Sequence, residues 1–355
     1  MTNYFLRAHT SKGHISLAKD TVTQADDRLF LAGGSKKMRG GILNQLIKKE
    51  IQEQKLSATF VHPTDGRIAE GMVTSKGKLV LADDPLFAFS QKYSETSSSK
   101  VNLNDCLKSS FQEGANEIRD LVERLRELQQ HVYQCFQEGK AIHEKKEEIY
   151  LQAMDFSLAN RVADDLSEDL LGQQEHSKEV PFTGKRFFGA ATSFGPVNFI
   201  DEITQLLSKR VIIKGRSGSG KSTLMRKIAA NAEQQGYNVC YFPCALDPDS
   251  LDMVMIPQLN CAILDGTAPH VIDPTRNGDQ VVDMFERCMD PSVEKTYQLQ
   301  LDEQAKAYTE KMKAGTAALR AILTGENKID TLYEKHVDEA QLSSLMTQVN
   351  EMVSQ

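Results

Sequence analysis

The chain has 355 residues and a formal net charge of −7, from 49 acidic side chains against 42 lysines and arginines. This length predicts two or more domains, because one hydrophobic core rarely serves so long a chain. The acidic balance, with no long basic run, favours neither nucleic acid nor an anionic membrane as a partner. No apolar run is long enough to span a membrane and the first residues lack the apolar core of a secretory signal, so we expect a cytoplasmic protein.

The six cysteines are scattered along the chain. Cys240 and Cys261 lie in apolar runs typical of strands, where a reduced thiol behaves as a small hydrophobic group. The spacing between Cys240 and Cys244 is not that of a zinc finger. The sequence therefore predicts reduced cysteines and no zinc site.

Residues 1–95 have the pattern of an α/β domain that returns 182 positions later. Without a gap, this offset carries Gly33 onto Gly215 and the apolar run 29–31 onto 211–213. It also aligns Phe5, Ala8, Thr10, Ser11 and Gly13 with Phe187, Ala190, Thr192, Ser193 and Gly195. A single register that serves roughly eighty residues predicts an internal duplication.

The first copy departs from the second at a glycine-rich loop. Where the second copy has Gly218, Gly220, Lys221 and Ser222, the first has Lys36, Met38, Arg39 and Gly40. A guanidinium does not replace a compact ammonium, and Gly40 has no hydroxyl for a metal ion. We expect residues 1–95 to form a degenerate domain that turns over no nucleotide. In the alternative, Arg39 serves in place of the lysine, and Lys36, Lys37 and Arg39 still attract an anion.

Residues 96–182 are predicted to form a helical hairpin and a linker, with polar joints at 94–100 and 171–185. Apolar residues recur at spacings of three and four from Ile118 to Val132, and Gly139 is expected to interrupt the helix before a second one at 141–156.

The counterpart after the second copy is residues 277–355, with a turn expected at 325–327. Packing or self-association as a homo-oligomer is one interpretation of the two hairpins. The other is a lid that closes over nucleotide.

Residues 183–276 contain the complete motif Gly215, four residues, then Gly220-Lys221-Ser222-Thr223. An apolar β-branched run precedes it and an amphipathic run follows it, which is the strand, loop and helix context of a phosphate-binding loop, or P-loop. The predicted nucleotide-binding residues are Gly215, Arg216, Ser217, Gly218, Ser219, Gly220, Lys221, Ser222 and Thr223.

Each residue type in this loop has a physical role. The glycines allow positive φ and close backbone approach, so that N–H groups and the following helix dipole face phosphate oxygens. Lys221 supplies a cation for the β- and γ-phosphates, and the Ser222 hydroxyl is the expected Mg²⁺ ligand. The sequence therefore predicts that this domain binds ATP with magnesium.

Asp265 ends a third apolar strand, 261–264, which is the usual place for the acid that holds Mg²⁺ through water. Ser222 and Asp265 are thus the predicted metal residues, although Asp265 could instead be a turn residue. His270 is interpreted either as a base or phosphate ligand, or as a surface histidine. We expect the catalytic residues to be Lys221, Asp265 and His270.

The sequence allows two roles for three further aspartates and for one arginine. Asp247, Asp249 and Asp252 either contact a substrate from the carboxyl edge of the sheet or cap the start of a helix. Arg276 either neutralises transition-state charge or is solvated. No glutamate follows Asp265, so fast intrinsic hydrolysis is not expected.

With these residues described, the chain resembles a family of bacterial tandem P-loop NTPases labelled ATPase or nucleotide kinase. The matching stretches are FFGAATSFG at 187–195, KGRSGSGKSTLMRKI at 214–228, GYNVCYFPCALDPDSLDMVMIPQLN at 236–260, ILDGTAPHVIDP at 263–274 and KAIHEKKEEIYLQAMDF at 140–156. The resemblance covers essentially the full length and implies a P-loop fold and ATP binding. It implies no particular substrate. It also implies a second intact loop where this chain has Met38-Arg39-Gly40, so we expect one working site beside a relic.

The predicted fold is α/β, with tandem duplicated P-loop NTPase domains, each a parallel sheet flanked by helices and followed by a long helical hairpin. Two functions follow. One is an ATPase or nucleotide-kinase-like phosphotransferase with a small-molecule or protein acceptor. The other is a switch or scaffold in which ATP occupancy sets the arrangement of the hairpins.

Overall fold

A computed structural model of the chain describes residues 2–84, 86–93, 98–172 and 184–354. The predicted polar joints at 94–100 and 171–185 lie largely outside the described residues. Within these ranges the fold is mixed α/β, with sixteen strands and eleven α-helices. None of the helices in these ranges combines the length and the apolar character needed to cross a membrane.

The first half of the chain contains a six-stranded sheet and a separate hairpin. The sheet strands are β1 (Asn3–Tyr4), β4 (Asp27–Ala32), β5 (Leu56–Val61), β6 (Ala69–Thr74), β7 (Lys78–Ala82) and β8 (Ser99–Asn102), and the hairpin strands are β2 (Arg7–Thr10) and β3 (Gly13–Ser16). The strand order is β1-β5-β6-β7-β4-β8. β6 is antiparallel to both neighbours, and the other neighbouring pairs are parallel.

The second half repeats this arrangement. Its sheet strands are β9 (Gly184–Lys185), β12 (Lys209–Lys214), β13 (Cys240–Pro243), β14 (Leu251–Ile256), β15 (Cys261–Asp265) and β16 (Asp279–Asp283), and its hairpin strands are β10 (Gly189–Thr192) and β11 (Gly195–Asn198). The order is β16-β12-β15-β14-β13-β9, with β14 antiparallel to its neighbours. The prediction of purely parallel sheets is therefore wrong at one strand in each half.

Tight connections explain the reversed strands. β6 turns directly into β7 through Gly77, whose φ of +78° is in the left-handed region that favours glycine. A connection of so few residues can join only antiparallel neighbours, because a parallel pair needs a long crossover. β14 is likewise followed by a short 3₁₀ turn before β15. The residues after Asp249 are thus a strand, so the interpretation in which these aspartates cap the start of a helix is wrong.

The helices are of two kinds, short ones around the sheets and two that are much longer. Their bounds are α1 (Ala18–Gln24), α2 (Lys36–Gln52), α3 (Phe89–Lys92), α4 (Phe111–Leu151), α5 (Phe156–Leu171), α6 (Ile200–Thr204), α7 (Lys221–Gln234), α8 (Met284–Cys288), α9 (Ser292–Thr296), α10 (Gln298–Glu334) and α11 (Glu339–Ser354). The interruptions predicted at Gly139 and at 325–327 are wrong, because α4 and α10 continue through them.

The glycines in α4 and α10 serve their contact with each other. The two helices run antiparallel, with the rings of Phe111 and Tyr333 4.8 Å apart at one end and Gly139 facing Met312 nearer the other. A methyl group at Gly325 would lie 2.5 Å from Leu125 Cδ2. Absence of a side chain here permits close packing of two helices, so these glycines do not end a helix.

The internal offset holds element by element. Adding 182 to β2, β3, β4 and β6 gives the bounds of β10, β11, β12 and β14. Adding 183 to α5 gives the bounds of α11. Both sheets extend beyond the expected domain ends at 95 and 276, since β8 and β16 pair with β4 and β12.

Each half gives its last helix to the other half. Ile149, Tyr150 and Leu166, from α4 and α5, lie in the same hydrophobic cluster as Val211 and Leu224 of the second half. Conversely, Val337, Val349 and Val353 lie in the cluster around β4 and α2. One isolated antiparallel β-bridge joins the two halves at each of these contacts, between Met154 and Met289 and between Leu107 and Val337. The last helix of each half therefore packs on the sheet of the other half, whereas α4 and α10 also contact their own half, through Tyr133 beside His9 and Arg320 beside Ser193.

Candidate functional site

The glycine-rich loop joins β12 to α7 at the carboxyl edge of the second sheet. Gly215, Gly218 and Gly220 have φ values of +146°, +73° and +79°, which residues with a Cβ atom rarely adopt. Gly220 is the residue that caps the start of α7. These glycines thus explain how the chain turns sharply after β12. The turn places the first residues of α7 at the carboxyl edge of the sheet.

The loop presents N–H groups without protein acceptors. Ser219 N–H donates to the Arg216 carbonyl at 3.2 Å. Among the described residues, no acceptor is present for the N–H groups of Gly218, Gly220, Lys221 and Ser222. Such a run of unpaired donors at a helix N-terminus is an anion-binding arrangement.

Lys221 lies over its own loop. Its Nζ donates to the Arg216 carbonyl at 2.8 Å and is 3.4 Å from the Gly215 carbonyl. Asp265 Oδ2 is 3.6 Å away. The structure therefore brings together two residues that are far apart in sequence and were predicted to share a site.

Asp265 ends β15, next to β12 in the sheet, with Ile213 as its register partner. Its Oδ1 accepts hydrogen bonds from Thr267 N and Oγ1 at 2.9 and 2.5 Å, so the turn role considered for it is also present. The Ser222 hydroxyl accepts from Leu251 N at 2.9 Å. A serine hydroxyl and a carboxylate are hard oxygen donors, which suit Mg²⁺.

Asp252 and His270 lie beside Asp265. Pairing of β14 with β15, with Met253 opposite Leu264, brings Asp252 next to Asp265. Burial and then the Asp265 charge raise the pKa of Asp252 to about 7. His270 Nε2 is 3.8 Å from Asp252 Oδ2, and burial lowers the pKa of His270 to about 4. His270 is thus a neutral imidazole near neutral pH, and its Nδ1 is buried without a partner among the described residues.

Other predicted residues have different partners. Asp247 lies 3.4 Å from Lys140, and Asp249 pairs with Lys12. Arg276 donates to the Thr204 carbonyl at 2.6 Å and so is held away from the loop. Arg216 donates to Glu294 at 2.6 Å. Thr223 is exposed on the first turn of α7.

Helix α4, from the first half of the chain, lies against the loop of the second. His143 Nε2 is 2.8 Å from the Ser217 hydroxyl. A methyl group at Gly218 would lie 3.0 Å from the Glu147 carbonyl oxygen. Tyr150 donates to Glu294, the partner of Arg216, at 3.2 Å. Sequence reasoning did not predict these residues, and the only signal was a charged helix face, KAIHEKKEEIY at 140–150.

The equivalent loop of the first half is filled by protein groups. Arg39 Nη1 donates to the Gly33 and Gly34 carbonyls at 2.7 Å. The N–H of Lys37 donates to Asp330 at 3.0 Å, and Lys36 Nζ donates to Glu326 at 2.9 Å. The carboxylates of α10 thus occupy the surroundings in which an anion would bind.

The cavity beside the first loop is small. A cavity lined by Lys36, Arg39, Gly40 and neighbouring residues has a volume of about 10 Å³, which is no larger than one water molecule needs. His62, Asp84 and Glu326 have ligand atoms within 4.8 Å of one another. Lys36 pairs with Glu326, and Arg7 lies 3.0 Å from Asp84, so protein cations already neutralise these carboxylates.

A scan against protein-family models, a search of the curated proteins and a search of the solved structures each found no match for this chain.

Proposed function

We propose that the chain contains duplicated P-loop domains and that the second copy binds ATP at residues 215–223. The unpartnered N–H groups around Gly218 and Lys221 are the observation that carries this proposal. In the first copy, Asp330 and Glu326 already accept from the equivalent loop. The expected stoichiometry is therefore one nucleotide per chain.

Each residue of the second loop has a place in this function. The loop N–H groups and Lys221 neutralise the β- and γ-phosphates. Ser222 and Asp265 would hold Mg²⁺, which supplies charge neutralisation between the phosphates when it is bound. The neutral imidazole of His270 and the carboxyl group of Asp252 lie beside Asp265, where they can accept a proton from an incoming nucleophile.

The reaction that follows is ATP hydrolysis or kinase-like transfer of the γ-phosphate to a small-molecule or protein acceptor. The bond from the γ-phosphorus to its bridging oxygen breaks, and a bond to the oxygen of water or of the acceptor hydroxyl forms. ADP leaves with the electron pair, and the nucleophile's proton passes to His270 or Asp252.

Calorimetry of the full chain with ATP, GTP and ADP, with and without magnesium, tests the proposal. Wild-type protein is expected to bind one ATP, and Lys221→Ala to weaken binding on the order of 100-fold, because a charge-assisted contact is lost. Arg226→Ala, an exposed cation on the same helix, is the matched control. Unchanged ATP affinity in Lys221→Ala would refute the site.

A second candidate function is an ATP-controlled switch with slow or no turnover. The observation that favours it is Glu147, which lies against Gly218 and close enough to Lys221 to feel its charge. A bound triphosphate repels this carboxylate, so nucleotide occupancy and the arrangement of α4 are coupled. Hydrogen exchange at residues 140–151 is then expected to change on ATP addition, and equal protection with and without ATP would rule the switch out.

A further inference from the structure

One face of α4 is directed at the second loop. His143, Glu147 and Tyr150 contact, in turn, Ser217, the backbone at Gly218, and the Glu294–Arg216 pair. These positions are spaced by four and three residues, so they share a helix face. Lys146 is three residues from His143 and four from Tyr150 and therefore lies on the same face.

The surroundings of Lys146 are positively charged. The side chain is partly buried, and burial, followed by the charges of Arg216 and Lys221, lowers its pKa. Glu294 is the one acid that acts on it in the opposite direction, but Glu294 already accepts from Arg216 and Tyr150. An ammonium held among like charges costs free energy unless an anion joins it.

Other cations near the loop are already paired. Arg216 donates to Glu294, Lys214 donates to Asp273 at 2.8 Å, and Lys140 lies 3.4 Å from Asp247. Within the described ranges, Lys146 has no hydrogen-bond or ion-pair partner. Besides Lys221, Lys146 is thus a cation beside this loop that remains available to a ligand.

We propose that the Lys146 ammonium contacts the terminal phosphate of a nucleoside triphosphate held on the second loop. This inference rests on the proposed function and adds that the first half of the chain supplies the recognising cation. Lys221 and the loop N–H groups neutralise part of the triphosphate charge, and a further cation on the terminal phosphate is a recurring requirement of such sites. Because a diphosphate lacks that group, Lys146 sets the preference for ATP over ADP.

Calorimetry of full-length variants with two ligands tests this role. The ligands are Mg-ADP and the magnesium complex of an ATP analogue with a nitrogen bridge between its β- and γ-phosphates. Lys146→Ala is expected to bind the triphosphate analogue roughly 10- to 30-fold more weakly than wild type, with ADP affinity changed by less than about twofold. Lys146→Arg is expected to retain most of the preference for the triphosphate.

Lys145→Ala is the matched control, since Lys145 is exposed on the neighbouring face of α4, and it should leave both affinities unchanged. If Lys146→Ala does not fold, as judged by circular dichroism, Lys146→Gln replaces it in the measurement of both affinities. Equal weakening for both ligands, or no weakening for either, overturns the role of Lys146 while the nucleotide site stands. Failure of the wild-type chain to bind either ligand overturns the proposed function itself.

Discussion

Arg39 and Lys221 occupy the same position in the two halves of the chain, and each donates to the carbonyls of its own loop. Arg39 contacts Gly33 and Gly34, and Lys221 contacts Arg216 with Gly215 close by. The difference lies in what surrounds them. Arg39 is buried, whereas Lys221 is partly exposed beside Asp265. One position therefore supports a closed structural contact in the first half and an open cationic site in the second.

Asp265→Asn is expected to remove the magnesium dependence of ATP binding. Loss of a carboxylate that orients the metal through water lowers metal affinity by about 10- to 100-fold, while binding of metal-free ATP is unchanged or slightly tighter. Titration of ATP with and without magnesium measures both. Asp302→Asn, at an exposed position in α10, serves as the control, and full magnesium dependence in Asp265→Asn would contradict the metal assignment.

Neighbouring glycines in α2 should respond to alanine in opposite directions. At Gly40 a methyl group would lie 2.6 Å from Ile68 Cγ2, and at Gly41 no atom lies within 4 Å. We expect Gly40→Ala to lower the free energy of unfolding by about 1–3 kcal/mol through overpacking. Gly41→Ala should raise it by about 0.5–1 kcal/mol, because alanine favours the helix.

Urea denaturation of both variants and wild type measures this difference. The contact also bears on the first loop, because Gly40 is the position of Ser222 in the second half and has no room for a hydroxymethyl group. Equal stability changes at Gly40 and Gly41 would show that the packing against Ile68 is looser than described.

The contact between α4 and α10 depends on Gly315, where a methyl group would overlap the ring of Phe136. Gly315→Ala should destabilise the protein by about 1–3 kcal/mol, since the aromatic ring is itself buried and cannot move freely. Gly114→Ala is the matched control in the partner helix, where the nearest atom, His336 Nε2, is 3.7 Å away. A thermal or chemical denaturation series that gives the two variants equal stability would contradict this packing.

Stability is expected to fall as pH falls below about 6.5, in part because of His9. Burial, with the charges of Arg7 and His62, lowers the pKa of His9 to about 3. Since the folded-state pKa is below the unfolded value of about 6.5, the unfolded chain binds the proton more readily. His9 therefore contributes stability that is present above pH 6.5 and is lost by about 1.4 kcal/mol per pH unit as pH falls toward 3.

His9→Gln keeps a polar group near Thr64. It should lower the slope of the unfolding free energy against pH, because one fewer proton is taken up on unfolding. The free energy of unfolding between pH 7 and 4.5 is the measurement. His131→Gln changes an exposed histidine and is the control. An identical slope in wild type and His9→Gln would show that His9 is not held neutral by the fold.

Much of the strand framework could be predicted from the internal offset, because the alternation of apolar runs and glycines is repeated. β4 and β12, Gly215 and Asp265 lie where the sequence indicated. The reversed strand β14 could not be predicted in the same way. Its sequence, LDMVMI, follows an acidic turn that equally fits a helix start, and pairing partners decide between the two.

The packing of each last helix on the other half could not be predicted from the sequence for a related reason. The spacing of Ile149, Leu166 and Leu170 shows that one face of each helix is apolar, but it does not show which sheet covers that face. Both sheets offer similar apolar surfaces, because the two halves have the same strand order. For the same reason, Lys146 and His143 could not be assigned to the loop at 215–220 before their packing was known.

Because of the exchanged helices, neither half can be removed without exposing apolar surface of the other. The first loop has neither a serine nor a lysine at the positions of Ser222 and Lys221, but Val349 and Val353 of the final helix pack on β4 and α2. Deleting the first half would leave that terminal helix without the surface it covers and would also remove α4, whose His143 contacts Ser217. The first half is therefore part of the structural support of both the second loop and the final helix.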